Sequence, residues 1–278
     1  MHALLELCRC KVYSQSHKLN IKTMLLFFIL LLFISAAVGL AWFFISHDHG
    51  EKEPIGMLWL AVFLGALGAV MAATIGGWVI NAEDLLPGGS HVALLIAMLL
   101  IGVIEEACKF VPLSAILWKK RYFNEHTDGI IYFSLAGLGF GLPENILYTA
   151  QFGVKTGLIR MILTPIFHAA TTGIVGYYLV KRKLDGKSYI GIWPILLAAM
   201  IIHGLYNFGL TSGIQLYAGL SVLITLVLSV ALFTLYVRAT ELDQDMGLTT
   251  VGHNSFCRSC GAANPKKHLH CTQCGKNA

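Results

Sequence analysis

Residues 101–119 read IGVIEEACKFVPLSAILWK, and this stretch decides the fold class. It lies in a run of otherwise apolar or small residues, yet it holds two adjacent carboxylates, Glu105 and Glu106, and then Lys109. An ionisable group at mid-bilayer costs roughly 2.5–3.5 kcal/mol on insertion scales, so a chain that keeps three of them there is using them. The simplest use is a buried ion pair. Glu105 and Glu106 stand four and three residues before Lys109, so both can reach it along one helix flank. One lysine neutralises only one carboxylate, which leaves the second free for chemistry.

Composition agrees with a membrane bundle. The chain has 278 residues, 56% of them hydrophobic and only 13% charged, about half the charge of an ordinary soluble domain. Its net charge of +5 is scattered through loops, where it orients a bundle and makes no nucleic-acid footprint. Apolar runs long enough to cross a hydrocarbon core of roughly 30 Å predict seven spans. They lie at about Met24–Ser46, Ile55–Ile80, His91–Trp118, Asp128–Tyr148, Gly157–Val180, Ile190–Leu210 and Ile214–Val237. The fold class is therefore all-α, a polytopic transmembrane bundle of about seven spans with a small C-terminal zinc ribbon. The divisions are a polar segment 1–23, a bundle 24–238, a polar linker 239–255 and a ribbon 256–278. Asp128 is expected to cap the fourth span, and Pro143 to kink it just before Glu144 and Asn145. The seventh span reads as plain packing.

Four spans carry polar residues in the apolar zone: Glu105, Glu106 and Lys109; Glu144 and Asn145; His168 and Thr172; His203 and Asn207. His168 and Thr172, and likewise His203 and Asn207, are four apart and share a helix face. Together they point to one polar cavity. The residue types suit hydrolysis, with carboxylates to take a proton from water, imidazoles to donate and accept, and an amide to hold an oxyanion.

In these motifs the chain resembles the PrsW intramembrane proteases, which belong with the CAAX prenyl protease group. The matching pieces are E-E-x-x-K from Glu105 to Lys109, F-x-x-x-E-N from Phe140 to Asn145, the His168 helix, and H-x-x-x-N from His203 to Asn207. Glu53-Pro54 and Asp128-Gly129 also match, and the likeness spans about residues 24–237. It departs from the wider group at Glu144, where that group commonly has His. The resemblance implies peptide-bond hydrolysis of a membrane-anchored protein in or beside the bilayer. It casts Glu105 as general base, Glu106 as partner of Lys109 or as a neighbour that tunes Glu105, and His203 and Asn207 as oxyanion donors. Glu144 and His168 would position water or bind a metal, with Lys109, Asn145 and Thr172 in support. It implies the metalloprotease label as well. A Glu and two His could hold zinc with an open position, but the chain has no H-E-x-x-H, and our reading leans to glutamate-activated water without metal. Two rivals stand beside the protease: an ion carrier with a buried Glu/His relay, and a non-catalytic scaffold that presents the ribbon.

The tail carries Cys257-x2-Cys260-Gly261 and Cys271-x2-Cys274-Gly275. Paired knuckles of this form predict a structural Zn2+ bound by Cys257, Cys260, Cys271 and Cys274, whose four thiolates close the tetrahedron. A protein partner is expected for the ribbon, and no nucleic acid. The basic groups Lys119–Arg121, Lys181–Lys183 with Lys187, and Arg238 fall on one face of a seven-span count. The positive-inside rule then puts the C-terminus in the cytosol of a bacterial cell, with the bundle in its cytoplasmic membrane. The N-terminal basic residues fall on the opposite face, and a start at Met24 would remove them.

Overall fold

The computed structural model describes the backbone of residues 53–80 and 90–246, scattered positions between 31 and 46, and residues 255–256 and 263–264. The described positions between 31 and 46 are helical and form part of α1. Six long helices follow: α2 (Ile55–Val79), α3 (His91–Leu117), α4 (His126–Phe152), α5 (Val154–Leu184), α6 (Trp193–Thr211) and α7 (Gln215–Asp245). A short 3-10 turn, Tyr189–Ile192, leads into α6. Beyond α7, Ser255–Phe256 pairs antiparallel with Ala263–Asn264. Cys257, Cys260, Cys271 and Cys274 lie outside the described residues, so the four-cysteine ribbon does as well.

The bundle wears its apolar residues outward as well as inward. Trp59, Phe63, Trp78, Val230 and Phe233 are all exposed, as suits helices solvated by lipid tails. Among the described residues, four segments are long and apolar enough to cross a membrane: Ile55–Val79, His126–Ala150, Tyr189–Thr211 and Gln215–Asp245. The helices α3 and α5 have the length, at 27 and 31 residues, but carry ionisable groups inside.

The centre is α4, with an unbroken buried run from residue 125 to residue 141. It packs chiefly against α5 and α2, while α3 packs against α6. Two close crossings set the positions of the polar groups. At the first, a Cβ on Gly102 would stand 2.5 Å from the Met200 carbonyl oxygen and one on Gly204 2.6 Å from Leu99 Cα, so bare glycines let α3 and α6 touch backbone to backbone. At the second, a Cβ on Gly137 would stand 2.3 Å from the His168 carbonyl oxygen, and one on Gly141 3.1 Å from the His168 ring.

Three boundaries depart from the sequence reading. Asp128 is not the cap of α4. The N-cap is Glu125, whose side chain accepts from the N3 backbone, while Asp128 at N3 accepts from the Asn124 and Glu125 amides at 2.8 and 2.7 Å. This is a capping box built with two acidic residues. The helix α4 runs past the expected end at Tyr148 to Phe152, with Pro143 inside it as expected, where its ring removes one ladder donor. Finally α7 does not stop near residue 237 but runs on to Asp245, so the linker expected from residue 239 begins later. Asp243 is fully buried. One carboxylate oxygen accepts from the His126 amide (2.7 Å) and its ring Nδ1 (2.8 Å), the other from the Thr127 amide and hydroxyl, each at 3.0 Å. The end of α7 thus satisfies two orphan donors at the start of α4.

The same end of the bundle collects the basic loops. Lys183 donates to the carbonyl oxygens of Lys120 and Phe123, which joins the end of α5 to the α3–α4 connection. The hydroxyl of Tyr132, in α4, donates to Glu53 just before α2.

Candidate active site

The α3–α6 and α4–α5 crossings bring the ionisable residues of four helices into one line. At its centre, Lys109 donates to Glu106 Oε1 at 2.8 Å and faces His168 Nδ1 at 2.8 Å. An ammonium can only donate, so Nδ1 of His168 is the acceptor and its proton sits on Nε2. That N–H points to Glu144 Oε2 at 2.6 Å. In the other direction, Glu106 Oε1 accepts from His203 Nδ1 at 2.6 Å. His203 Nε2 then faces Glu105 Oε2 at 3.0 Å. That contact has ion-pair distance but not hydrogen-bond direction, and both atoms have no hydrogen-bond partner.

The line does not stop at Glu144. Its other oxygen, Oε1, accepts from Arg160 Nη2, and Arg160 Nε donates to Asn145 Oδ1 at 3.1 Å. Aromatic rings wall the row: Phe140 lies under the Lys109 ammonium, 4.2 Å from it, and Phe167 stacks on Tyr206 at 3.8 Å and meets His203 edge-on at 5.0 Å.

Of the residues singled out in the sequence, Glu105, Glu106, Lys109, Glu144, Asn145, His168 and His203 are joined in this row. Only Glu106 takes Lys109, although both glutamates were in reach of it by spacing. His203, expected as an oxyanion donor, is wedged between Glu105 and Glu106. Asn207 is buried one turn beyond it, with its amide nitrogen unpartnered; the Asn145 amide nitrogen and the Thr172 hydroxyl are buried and unpartnered too.

The sequence reading passed over Arg160. It falls three residues into the predicted fifth span, where an arginine reads as one that reaches back to the interface. Here it is only 6% exposed. The test applied to Glu105, a charge inside an apolar run, would have found it.

Charge balance is informative inside a bilayer. Three carboxylates, Glu105, Glu106 and Glu144, face two permanent cations, Lys109 and Arg160. Neutrality needs one more positive charge. Glu106, His168 and His203 could supply a cation site, since each offers a ligand atom and all three atoms lie within 4.8 Å of one another. One carboxylate and two imidazoles make a donor set suited to catalytic zinc. The Glu144 carboxylate on the far nitrogen of His168 is the outer support that metal-bound histidines carry. The residues therefore fit a divalent metal, on the condition that Lys109, which now holds Glu106 and His168, withdraws from them. Glu144, cast with His168 as a possible metal ligand from the sequence, is engaged by Arg160 and by His168 Nε2 instead.

Comparison with known proteins agrees with this architecture. A family model described as PrsW family intramembrane metalloprotease matches residues 53–236. Protease PrsW of Bacillus subtilis is 31% identical over 181 residues, covering 64% of this chain and 81% of that protein. Protease PrsW of Geobacillus kaustophilus is 31% identical over 175 residues, covering 63% and 76%. Protease PrsW of Halalkalibacterium halodurans is 32% identical over 176 residues, covering 63% and 79%. No solved structure matches the chain. The matched region runs from Glu53, before α2, into α7 and takes in every residue of the charged row, so the chain belongs to the PrsW family of intramembrane metalloproteases.

Proposed function

We propose that this intramembrane protease hydrolyses its substrate with water activated by Glu105. The observation that supports the assignment is the division of labour among the three carboxylates. Glu106 is tied to Lys109 and Glu144 to Arg160, whereas Glu105 has neither lysine nor arginine among the described residues. Its Oε2 faces His203 Nε2, and neither atom has another partner, so a water placed at this pair meets a base and an imidazole together.

In the proposed step Glu105 takes a proton from water as the oxygen attacks the scissile carbonyl carbon. The carbonyl oxygen becomes an oxyanion, and the Asn207 amide is our choice of donor to it. The C–N bond then breaks and the amine leaves with the proton that Glu105 took. Glu106 orients His203 through Nδ1, and Lys109 compensates Glu106. A metal held by Glu106, His168 and His203 would add Lewis-acid polarisation and a more acidic water. The substrate we infer is a membrane-anchored protein, because the site lies among helices whose outer faces are apolar.

The ion-carrier and scaffold readings give way to the family. We further infer seven spans, with the end of α7 and the tail in the cytosol. The support is that Lys119–Arg121, Lys181–Lys183 and the end of α7 gather at one end of the bundle. For the tail we infer a zinc ribbon. The support is the spacing of the two cysteine knuckles in the sequence, with Ser255–Phe256 paired antiparallel to Ala263–Asn264.

The test is membrane proteomics of cells carrying wild type or Glu105→Gln. A single-span protein should accumulate uncut in the variant, with cleavage down about 10²–10⁴-fold, the usual worth of a general base. Normal cleavage by a folded Glu105→Gln protein would refute the assignment.

A further inference from the structure

Arg160 is a cation buried in the second turn of α5, and such burial costs several kcal/mol unless it is fully paired. Its pairing is more specific than neutralisation requires. The guanidinium forks over two successive residues of α4: Nη2 holds Glu144 Oε1 and Nε holds Asn145 Oδ1. Its face lies on the Tyr148 ring, one turn further along α4, at 3.8 Å. A planar fork can do this; a lysine, as a point charge, cannot. The turn that it grips lacks rigidity of its own, since Pro143 has no amide to donate to the Gly139 carbonyl. The oxygen of Glu144 that Arg160 leaves free is the one that accepts from His168 Nε2.

We propose that Arg160 is a positioning residue. By clamping Glu144 and Asn145 together on the proline-softened turn of α4, it aims the second Glu144 oxygen at His168 and fixes the orientation of that ring in the charged row. The inference rests on the site proposed above. Arg160 touches no reacting atom and acts only through Glu144.

The experiment compares full-length variants in cells, reading the ratio of cut to uncut protein for each single-span membrane protein that accumulates with Glu105→Gln. Arg160→Met should lower cleavage about 10–100-fold, the range for residues that orient a functional histidine. Arg160→Lys, which keeps the charge and one bond, should recover part of the loss; Arg160→Gln should not. Glu144→Gln should resemble Arg160→Met, and the double variant should be no worse than Glu144→Gln alone, as expected of residues in one chain of contacts. Full recovery by lysine, equal recovery by lysine and glutamine, a further tenfold loss in the double variant, or normal cleavage by Arg160→Met overturns the proposal. Where Arg160→Met does not reach the membrane, the double variant decides, because it leaves no uncompensated charge on Glu144. If Glu105→Gln itself changes nothing, the proposed site falls and takes this inference with it. If Glu105→Gln is inactive and the Arg160 variants cleave normally, only the role of Arg160 falls.

Discussion

Glu105 and Glu106 are neighbours in sequence and should respond to the same substitution in opposite ways. Glu105→Gln removes a carboxylate that balances no lysine or arginine, so the thermal midpoint of the purified bundle should hold while cleavage is lost. Glu106→Gln strips Lys109 of its carboxylate deep in the bundle. Breaking a buried pair from one side costs roughly 3–5 kcal/mol, so this variant should melt well below wild type; equal midpoints for the two would contradict the pairing seen here. These roles were only half legible in the sequence. The ionisable residues announced themselves, because charge in an apolar run is rare and expensive. Their partners did not: spacing along α3 allowed Lys109 to either glutamate, and only the packed bundle shows Glu106 taking both Lys109 and His203, which α6 brings to it across 97 positions of chain. Arg160 was open to the same test, a charge inside an apolar run, but its pairing with Glu144 and Asn145 across α4 and α5 shows only in the packed bundle.

Helices were legible as apolar runs, and their ends were not. The α7 run loses its hydrophobicity near residue 237, yet the helix continues because Asp243 is needed at the start of α4. A chain ended at residue 238 should therefore lose stability in differential scanning fluorimetry, and one ended at residue 248 should not. Asp243→Ala in the full chain should reproduce the loss, at about 1–3 kcal/mol for buried donors left without an acceptor. The crossings make a second prediction. Gly137→Ala would push a methyl group into the His168 backbone, costing about 1–3 kcal/mol by overpacking. Because His168 itself must move, cleavage should fall by more than the loss of folded protein explains, as measured by activity per folded molecule. Glycine in these spans was visible in the sequence as a sign of close packing; which helix each one admits was not.

For the whole molecule, the metal question and the tail must be separated. The chain ended at residue 248 keeps α7 and lacks all four tail cysteines. If a metal sits on Glu106, His168 and His203, chelator should abolish its cleavage, zinc should restore it, and the purified protein should bind about one zinc per chain. Retained activity in chelator would leave the charge balance of the site to a proton. The isolated tail, residues 250–278, should bind one zinc and be unfolded without it, with Cys260→Ser abolishing tight binding, since so small a unit takes its folding energy from its metal. Zinc affinity undiminished by that substitution would exclude the four-cysteine site.

The charged row also bears on how the protein is made. Glu105, Glu106 and Lys109 together cost roughly 8–10 kcal/mol at mid-membrane, against gains of only about 0.3–0.6 kcal/mol from each apolar neighbour. Helix α3 holds all three inside an otherwise apolar run. It leaves the ribosome before its partners exist: His168 follows Lys109 by 59 positions and His203 follows Glu106 by 97. We predict that nascent α3 stays at the translocon or beside a membrane chaperone until α5 and α6 arrive. Nascent chains stalled before α6 should leave α3 open to alkaline extraction and to degradation, and the machinery that cleaves other proteins would be, for that interval, a substrate of quality control itself.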